Sequence, residues 1–213
     1  MSITSINNLV KFTGKKYQTA LCGCYFQIKK EVNIMTIGGL FPPIGLVIRC
    51  SQYAVNVPLQ VNVLGLVTLD FKGGFDVRVE KPTSEGLGGL KLKILAYEIS
   101  ADSPVLGRVT ISWADIETTP LSTLVIIKSL PPTFQNTLYL DFTMTIEKPP
   151  GGGPPLVLSN TKTAEHLNNK LPMFPPQGNV YQLAAPVDLA PIGAPSQVVA
   201  QLQQLPMTVT HNP

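Results

Sequence analysis

The carboxylates in the sequence WADIE could carry out acid–base chemistry. Asp115 and Glu117 are separated by one residue and follow Trp113. On a β-strand their side chains would share one face, with Cα atoms about 6.5–7 Å apart, which is compatible with the paired carboxylates of a retaining glycosidase. Trp113 could then stack on a sugar ring. Alternatively, the carboxylates belong to a solvated face, and Trp113 continues the inward row of Val109 and Ile111.

The cysteines offer a second possible site. Cys22 and Cys24 lie in TALCGCYFQI, and the third cysteine is Cys50. On a strand the pair shares a face with Phe26 and Ile28, which favours buried thiols that pack as small apolar groups. The alternatives are a disulfide from Cys50 to one of the pair, or a metal site that uses Cys22, Cys24 and Cys50, with or without His166 or His211. Structural zinc sites usually have two paired ligand clusters, and this chain has one pair, so we expect no metal and no other cofactor.

Histidine limits the options for nucleophilic catalysis. The two histidines are His166, in TAEHLNN, and His211, two residues before the last one. A Ser-His-Asp or Cys-His arrangement would need one of them, and both fit a solvated histidine better. The chain also contains no G-x-S-x-G, P-loop, H-E-x-x-H or G-x-G-x-x-G motif. We therefore expect that the chain is not an enzyme; if it were one, Asp115 and Glu117 would be the catalytic candidates.

The elements that would position these residues are strands, because apolar residues alternate with polar ones almost everywhere. The runs include Val55, Val57, Leu59, Val61 and Val63, and later Leu138, Leu140, Phe142, Met144 and Ile146. Pro58 predicts an edge or a bulge in its strand. Turn signals separate the runs at Lys72-Gly73-Gly74, Glu85 to Gly89, Asp102-Ser103-Pro104, Pro131-Pro132 and Pro149 to Pro155. This pattern predicts an all-β fold, a single antiparallel β-sandwich of jelly-roll-like form.

Three finer predictions concern the organisation of the chain. Residues 1–213 form one all-β domain, in which 149–179 is a Pro/Gly-rich excursion. The segment NTKTAEHLNNK predicts one short helix near 160–169. The stretches that begin at Phe75 and Phe142 share a Glu-Lys-Pro ending and a following Gly-rich turn, which suggests an internal duplication.

The polar faces of the strands are unusually neutral. Charged residues make up 14% of the chain, against roughly 25% in typical soluble domains. Asn56, Gln60 and Asn62 occupy outward positions where lysine or glutamate would normally prevent association, and with Trp113 they are the predicted binding residues. This pattern predicts a non-enzymatic structural or binding module that contacts copies of itself or a protein partner, with glycan contact as another possibility.

Two other functions remain open on the sequence. A membrane-active, toxin-like β protein would use the apolar run 34–48, whose length and prolines exclude a spanning helix. A carbohydrate-acting enzyme would use Asp115 and Glu117. The scattered basic residues exclude a nucleic-acid-binding stripe. The first residues do not form a usual secretory signal, so a cytoplasmic location is the default expectation.

The closing segment, a turn-linked pair of strands that ends in QLQQLPMTVTHNP, resembles uncharacterised bacterial all-β proteins. The resemblance covers about the last third of the chain. It implies an all-β fold and brings no assigned activity.

Overall fold

A computed structural model describes residues 40–117 and 119–212. Within this part the chain forms thirteen strands and no helix. The strands are β1 Val47–Val61, β2 Gly65–Thr83, β3 Gly89–Ser103, β4 Gly107–Trp113, β5 Ser122–Ser129, β6 Pro132–Leu140, β7 Phe142–Ile146, β8 Leu156–Asn160, β9 Ala164–Leu171, β10 Gln177–Leu183, β11 Val187–Pro191, β12 Ala200–Leu202 and β13 Met207–Asn212. The all-β prediction is confirmed.

The strands form one continuous antiparallel sheet in the order β12-β11-β8-β7-β4-β3-β2-β1-β13-β10-β9-β6-β5. Two further pairings, β12 with β1 and β3 with β5, close this sheet into two rings. The first ring consists of β1, β2, β3, β4, β7, β8, β11 and β12, and the second ring of β1, β2, β3, β5, β6, β9, β10 and β13. The predicted jelly-roll-like sandwich is therefore corrected, because the strands do not divide into two separate sheets.

The three long strands β1, β2 and β3 belong to both rings. In β1, residues 49–53 pair with β13 of the second ring, and residues 59–61 pair with β12 of the first. In β3, residues 89–92 pair with β5, and residues 98–103 pair with β4. Each shared strand therefore contributes one half to each ring, and the chain crosses between rings at the connection 114–121 and at later breaks between strands.

Two adjacent glycines allow β2 to pass between the rings. A Cβ atom on Gly73 would overlap the carbonyl oxygen of Glu98 in β3, and one on Gly74 would lie 2.5 Å from the carbonyl oxygen of Cys50 in β1. Glycine has no Cβ, so three backbones approach closely here. The predicted turn at Lys72-Gly73-Gly74 is wrong, since β2 continues through it. Gaps between strands do occur at the other predicted turns.

A bulge in β1 changes which valines are buried. The register with β2 shifts between Ala54 and Val57, and Asn56 adopts a left-handed backbone with φ of 55°. Because of the extra residue, Ala54 and Val57 are both buried, whereas Val55 is exposed. The predicted single face from Val55 to Val63 is thus wrong at Val55 and also at Val63, which lies at the turn into β2. The sequence predicted an edge or a bulge at Pro58; the bulge lies before Pro58, and Pro58 lies between the stretches of β1 that pair with β13 and with β12.

The buried cores of the two rings differ in composition. The first ring buries mainly aliphatic side chains, among them Leu59, Leu69, Ile111, Met144, Leu158 and Leu189. The second ring buries aliphatic side chains and also several polar groups, namely Gln52, Tyr97, Asn136, His166 and Tyr181. Buried polar groups are costly unless they are hydrogen-bonded, and the side-chain amide of Gln52 and the Nε2 atom of His166 have no hydrogen-bond partner among the described residues.

The predicted helix near 160–169 is wrong. Ala164–Leu171 forms β9, which pairs with β6 and β10. Ala164 and His166 point inward and are buried, and a helix would leave the edge groups of both neighbouring strands unpaired. The predicted excursion 149–179 contains β8, β9 and the first residues of β10.

Two predictions, the internal duplication and the membrane-contact run, stay predictions. Phe75 lies in β2 and Phe142 in β7, and the duplication stays a prediction. Of the proposed membrane-contact run 34–48, residues 34–39 are outside the described residues, and Ile44 and Leu46 are exposed. No helix in the described residues has the length and apolar character needed to span a bilayer.

Candidate functional site

The connection between β4 and β5, residues 114–121, borders a cavity of about 220 Å³. We call this the first cavity. It lies where the chain leaves the first ring and enters the second. Its lining residues are Leu92, Lys93, Ile94, Trp113, Asp115, Ile116, Glu117, Thr119, Pro120, Leu121, Ser122 and Tyr139.

The structure brings Trp113, Asp115 and Glu117 together in this lining. β4 ends at Trp113, so the carboxylates lie on the connection and not on one strand face as predicted. The amide of Ile116 donates to the carbonyl of Ala114 at 2.9 Å, which turns the chain. Asp115 and Glu117 are exposed and take part in none of the ion pairs between described residues. They are therefore free to interact with a ligand.

Trp113 is both a core residue and a cavity residue, the two alternatives that the sequence left open. Its side chain is half-buried and packs against the core beyond Val109 and Ile111. It pairs with Phe142 of β7 at the end of β4. The part of the indole that is not covered by the core lines the first cavity, where an aromatic face can stack on a ligand ring.

Asp141 holds the connection 114–121 in place through hydrogen bonds from Thr119 and Ala114. This buried carboxylate lies between β6 and β7 and accepts hydrogen bonds from the Thr119 hydroxyl, from Thr163 Oγ1 at 3.2 Å and from Asn160 Nδ2 at 3.0 Å. Its backbone carbonyl also accepts from the amide of Ala114 at 2.9 Å. Alternation placed Asp141 on a solvated face, so sequence reasoning missed this role. The break between β6 and β7 turns the side chain inward.

Tyr139 is a further polar group in the first cavity that sequence reasoning missed. Its amide donates to Ser122 Oγ at 3.0 Å, which ties β6 to the start of β5. Burial raises the pKa of the Tyr139 phenol, and the nearby negative charge of Glu165 raises this pKa further. The phenol therefore stays protonated at neutral pH and can donate a hydrogen bond or a proton.

A second cavity, of about 590 Å³, is a shallow depression over the middle of the shared strands that opens widely to solvent. Its lining residues are Arg49, Cys50, Gly74, Phe75, Asp76, Leu95, Ala96, Tyr97, Glu98, Ser112, Trp113 and Asn212. Trp113 lines both cavities. Arg49 Nε lies 3.7 Å from Asp76 Oδ2, and the rings of Phe75 and Tyr97 stack with centroids 6.3 Å apart.

The predicted binding residues Asn56, Gln60 and Asn62 line neither cavity. The backbone amide of Asn56 donates a hydrogen bond to Asp70 Oδ1 at 2.7 Å and so stabilises the bulge in β1. Asn62 Nδ2 donates to the carbonyl of Val198 at 2.8 Å. These contacts give Asn56 and Asn62 structural roles, and the predicted binding role of the three residues stays a prediction.

Of the three cysteines, only Cys50 lies within the described residues. Cys22 and Cys24 lie outside the described residues. Cys50 is a buried, free thiol, and burial together with the negative charge of Asp76 raises its pKa to about 12. Such a thiol is unreactive at neutral pH. In the described part of the chain no three His, Cys, Asp or Glu side chains lie close enough to hold a metal ion.

Several polar groups in the core of the second ring satisfy one another. The Tyr181 hydroxyl donates to Asn136 Oδ1 at 2.7 Å, and Asn136 Nδ2 donates to the carbonyl of Thr123 at 2.7 Å. His166 is fully buried, and its Nε2 has no hydrogen-bond partner among the described residues. Desolvation lowers the pKa of His166 to about 4. The expectation of a solvated histidine at this position is wrong.

Comparisons with known proteins identify the fold only. No protein-family model matches the chain, and no curated protein matches it. A solved structure of DynF from the dynemicin biosynthesis pathway of Micromonospora chersina is similar, with a TM-score of 0.64 and 17% identity over 80% of this chain and 82% of DynF. The prediction of a non-enzymatic structural or binding module is wrong on this comparison, because the same fold serves in a protein of a biosynthesis pathway. The expectation that the chain is not an enzyme stays a prediction.

Proposed function

We propose that this protein binds a small hydroxylated molecule in the first cavity and acts on it by acid–base chemistry. The observation that carries the proposal is the presence of Trp113, Asp115, Glu117 and Tyr139 in the lining of one cavity. Two carboxylates, a protonated phenol and an aromatic face are the groups with which proteins bind and convert carbohydrate-like ligands.

The size of the first cavity supports a small ligand. Pockets for drug-sized ligands usually measure about 300–1,000 Å³, and this cavity measures about 220 Å³. A molecule of about one ring fits this volume. Its apolar face can stack on Trp113, while its hydroxyl groups can donate to the carboxylates of Asp115 and Glu117.

The available groups support proton transfer in both directions. An ionised carboxylate of Asp115 or Glu117 can accept a proton from a hydroxyl group or from an attacking water. The Tyr139 phenol is protonated at neutral pH and can donate a proton to a leaving oxygen on which negative charge develops. For a glycoside, water would add to the acetal carbon as the bond to the leaving oxygen breaks. The water proton would then pass to the carboxylate and the phenol proton to the leaving oxygen.

Two further observations support a chemical role. The hydrogen bonds from Thr119 and Ala114 to Asp141 hold the connection that carries the carboxylates, so the groups are positioned before a ligand arrives. The fold is also shared with a protein of the dynemicin biosynthesis pathway, which favours a role in chemical conversion over a purely structural one.

The first test uses the intrinsic fluorescence of Trp113, the only tryptophan in the chain. Addition of methyl glycosides of neutral monosaccharides should change its emission in a saturable manner. Turnover is then measured with 4-nitrophenyl glycosides. We expect Asp115→Asn or Glu117→Gln to lower kcat by about 10²–10⁴-fold. Asp102→Asn is the matched control, because Asp102 is an exposed carboxylate outside both cavities.

The outcomes separate binding from catalysis. Saturable binding without turnover would refute the catalytic part and retain the binding part. Turnover at the normal rate in the Asp115→Asn/Glu117→Gln double variant would refute the assignment of the carboxylates. If no methyl glycoside changed the emission and no nitrophenyl glycoside were hydrolysed, the proposed function would be wrong.

A further inference from the structure

We infer that the second cavity is a second subsite for the same ligand, and that it takes a part of the ligand that bears an amine. The inference rests on the proposed function, since it assigns a hydroxylated ring to the first cavity. It adds the substrate class: a two-part molecule in which a hydroxylated ring is linked to a larger, amine-bearing group, such as an amino disaccharide.

Trp113 borders both cavities. This residue belongs to the lining of both, and the remaining lining residues of the two cavities are different. A ligand whose ring stacks on the indole in the first cavity can therefore extend past the same side chain into the second. The second cavity, at about 590 Å³, is shallow and widely open to solvent, so a group bound there would keep one side in water.

Charge distinguishes this region from the rest of the chain. The chain has a formal net charge of +3. The first cavity contains one cation, Lys93, and two carboxylates, and the second cavity likewise contains one cation, Arg49, and two carboxylates. Each cavity is therefore net negative at neutral pH in a chain that is net positive. Such a local field favours a cationic or neutral ligand over an anionic one.

The ion pair of the second cavity shows which carboxylate is available. Arg49 lies 3.7 Å from Asp76, so part of its positive charge is compensated within the protein. Glu98, on the neighbouring strand β3, is exposed and belongs to none of the ion pairs between described residues. An ammonium group in the second cavity can therefore pair with Glu98 without displacing an existing partner.

The other lining residues of the second cavity offer both apolar and hydrogen-bonding groups, which suits a sugar ring. Leu95 and Ala96 supply apolar surface next to Trp113, and Ser112 and Asn212 supply hydrogen-bonding groups. A wholly apolar ligand would leave these polar groups and Glu98 without partners, which disfavours its binding. A sugar that carries an amine satisfies both kinds of surface.

The experiment compares matched ligands by Trp113 fluorescence. The probes are methyl glucoside, cellobiose, the disaccharide of glucosamine, and a glucosyl-glucuronic acid disaccharide. We expect the glucosamine disaccharide to bind several-fold tighter than cellobiose, and the acidic disaccharide to bind weakest. Glu98→Gln should weaken the glucosamine disaccharide about two- to fivefold, as expected for one exposed charge pair, and should leave methyl glucoside unchanged. Asp102→Asn should change neither.

The results distinguish failure of the inference from failure of the proposed function. If methyl glucoside binds but the three disaccharides bind equally well, the second subsite does not select charge and the inference is wrong. The same follows if Glu98→Gln has no effect on the glucosamine disaccharide. If no probe, including methyl glucoside, changes the fluorescence, the proposed function and the inference both fail.

Discussion

Replacing Asp141 should destabilise the protein strongly, because its carboxylate joins three separate parts of the chain. The side chain is 7% exposed and accepts hydrogen bonds from Thr119, Asn160 and Thr163. A hydrogen bond to a charged group contributes about 1.5–3 kcal/mol, and removal of the acceptor leaves buried donors without partners. Relief from burying a charge offsets part of this loss. We expect Asp141→Ala to lower the free energy of unfolding by about 3–5 kcal/mol.

The assay is urea unfolding followed by the fluorescence of Trp113, which lies at the end of the connection that Asp141 holds. Asp188→Ala is the matched control. The Asp188 carboxylate accepts one side-chain hydrogen bond, from Gln201 Nε2 at 2.8 Å, and its removal should cost about 1 kcal/mol. A loss below about 1 kcal/mol for Asp141→Ala would refute the argument that these hydrogen bonds are a shared network.

A double-mutant cycle tests the link between Asp141 and the connection 114–121. Thr119→Val removes only the hydroxyl donor to Asp141. We expect the losses for Asp141→Asn and Thr119→Val to be less than additive, with a coupling energy of about 1–2 kcal/mol. Additive losses would show that the connection is held by other contacts.

Three other predictions follow from buried or strained positions. The pKa of His166 is lowered from 6.5 to about 4 in the folded protein, so between these pH values the unfolded chain binds one more proton than the folded chain. The free energy of unfolding should therefore fall by about 3 kcal/mol as the pH drops through this window. Urea unfolding at several pH values should show this fall in the wild type and in His211→Gln, but not in His166→Gln. Gly74→Ala, whose methyl group would lie 2.5 Å from the carbonyl oxygen of Cys50, should lower stability by more than about 2 kcal/mol in the same assay, and an unchanged midpoint would contradict the close approach of the strands. Asn56, with φ of 55°, should tolerate glycine, whereas Asn56→Ala should lose about 1 kcal/mol by thermal unfolding; equal melting temperatures for the two variants would argue against a left-handed residue in the bulge.

Local alternation was sufficient to predict the strands and much of the core. The run from Leu138 to Ile146 buries each predicted apolar position, although a break at Asp141 separates β6 from β7. Side chains alternate along any strand, so this pattern predicts burial without knowledge of the neighbouring strands. For the same reason it cannot distinguish a sandwich from a sheet that closes into two rings.

The errors occur where contacts between distant residues override the local pattern. Gly73 and Gly74 have the composition of a turn, but the close approach of β1 and β3 requires glycine within a continuous strand. The segment around His166 has helix-compatible composition, but it supplies the strand between β6 and β10. In each case the neighbours come from other parts of the sequence, and propensity does not contain this information.

The sequence by itself determined the all-β class and placed Trp113, Asp115 and Glu117 close together, because all three lie within five residues. Only the tertiary structure brought Lys93 and Tyr139 into the same lining and Asp141 behind the connection. The ring closures join Leu59 to Leu202 and Leu92 to Ser122. The physical reason is that backbone hydrogen bonds between strands are the same for every sequence, so the choice of partner is made by the packing of the whole core.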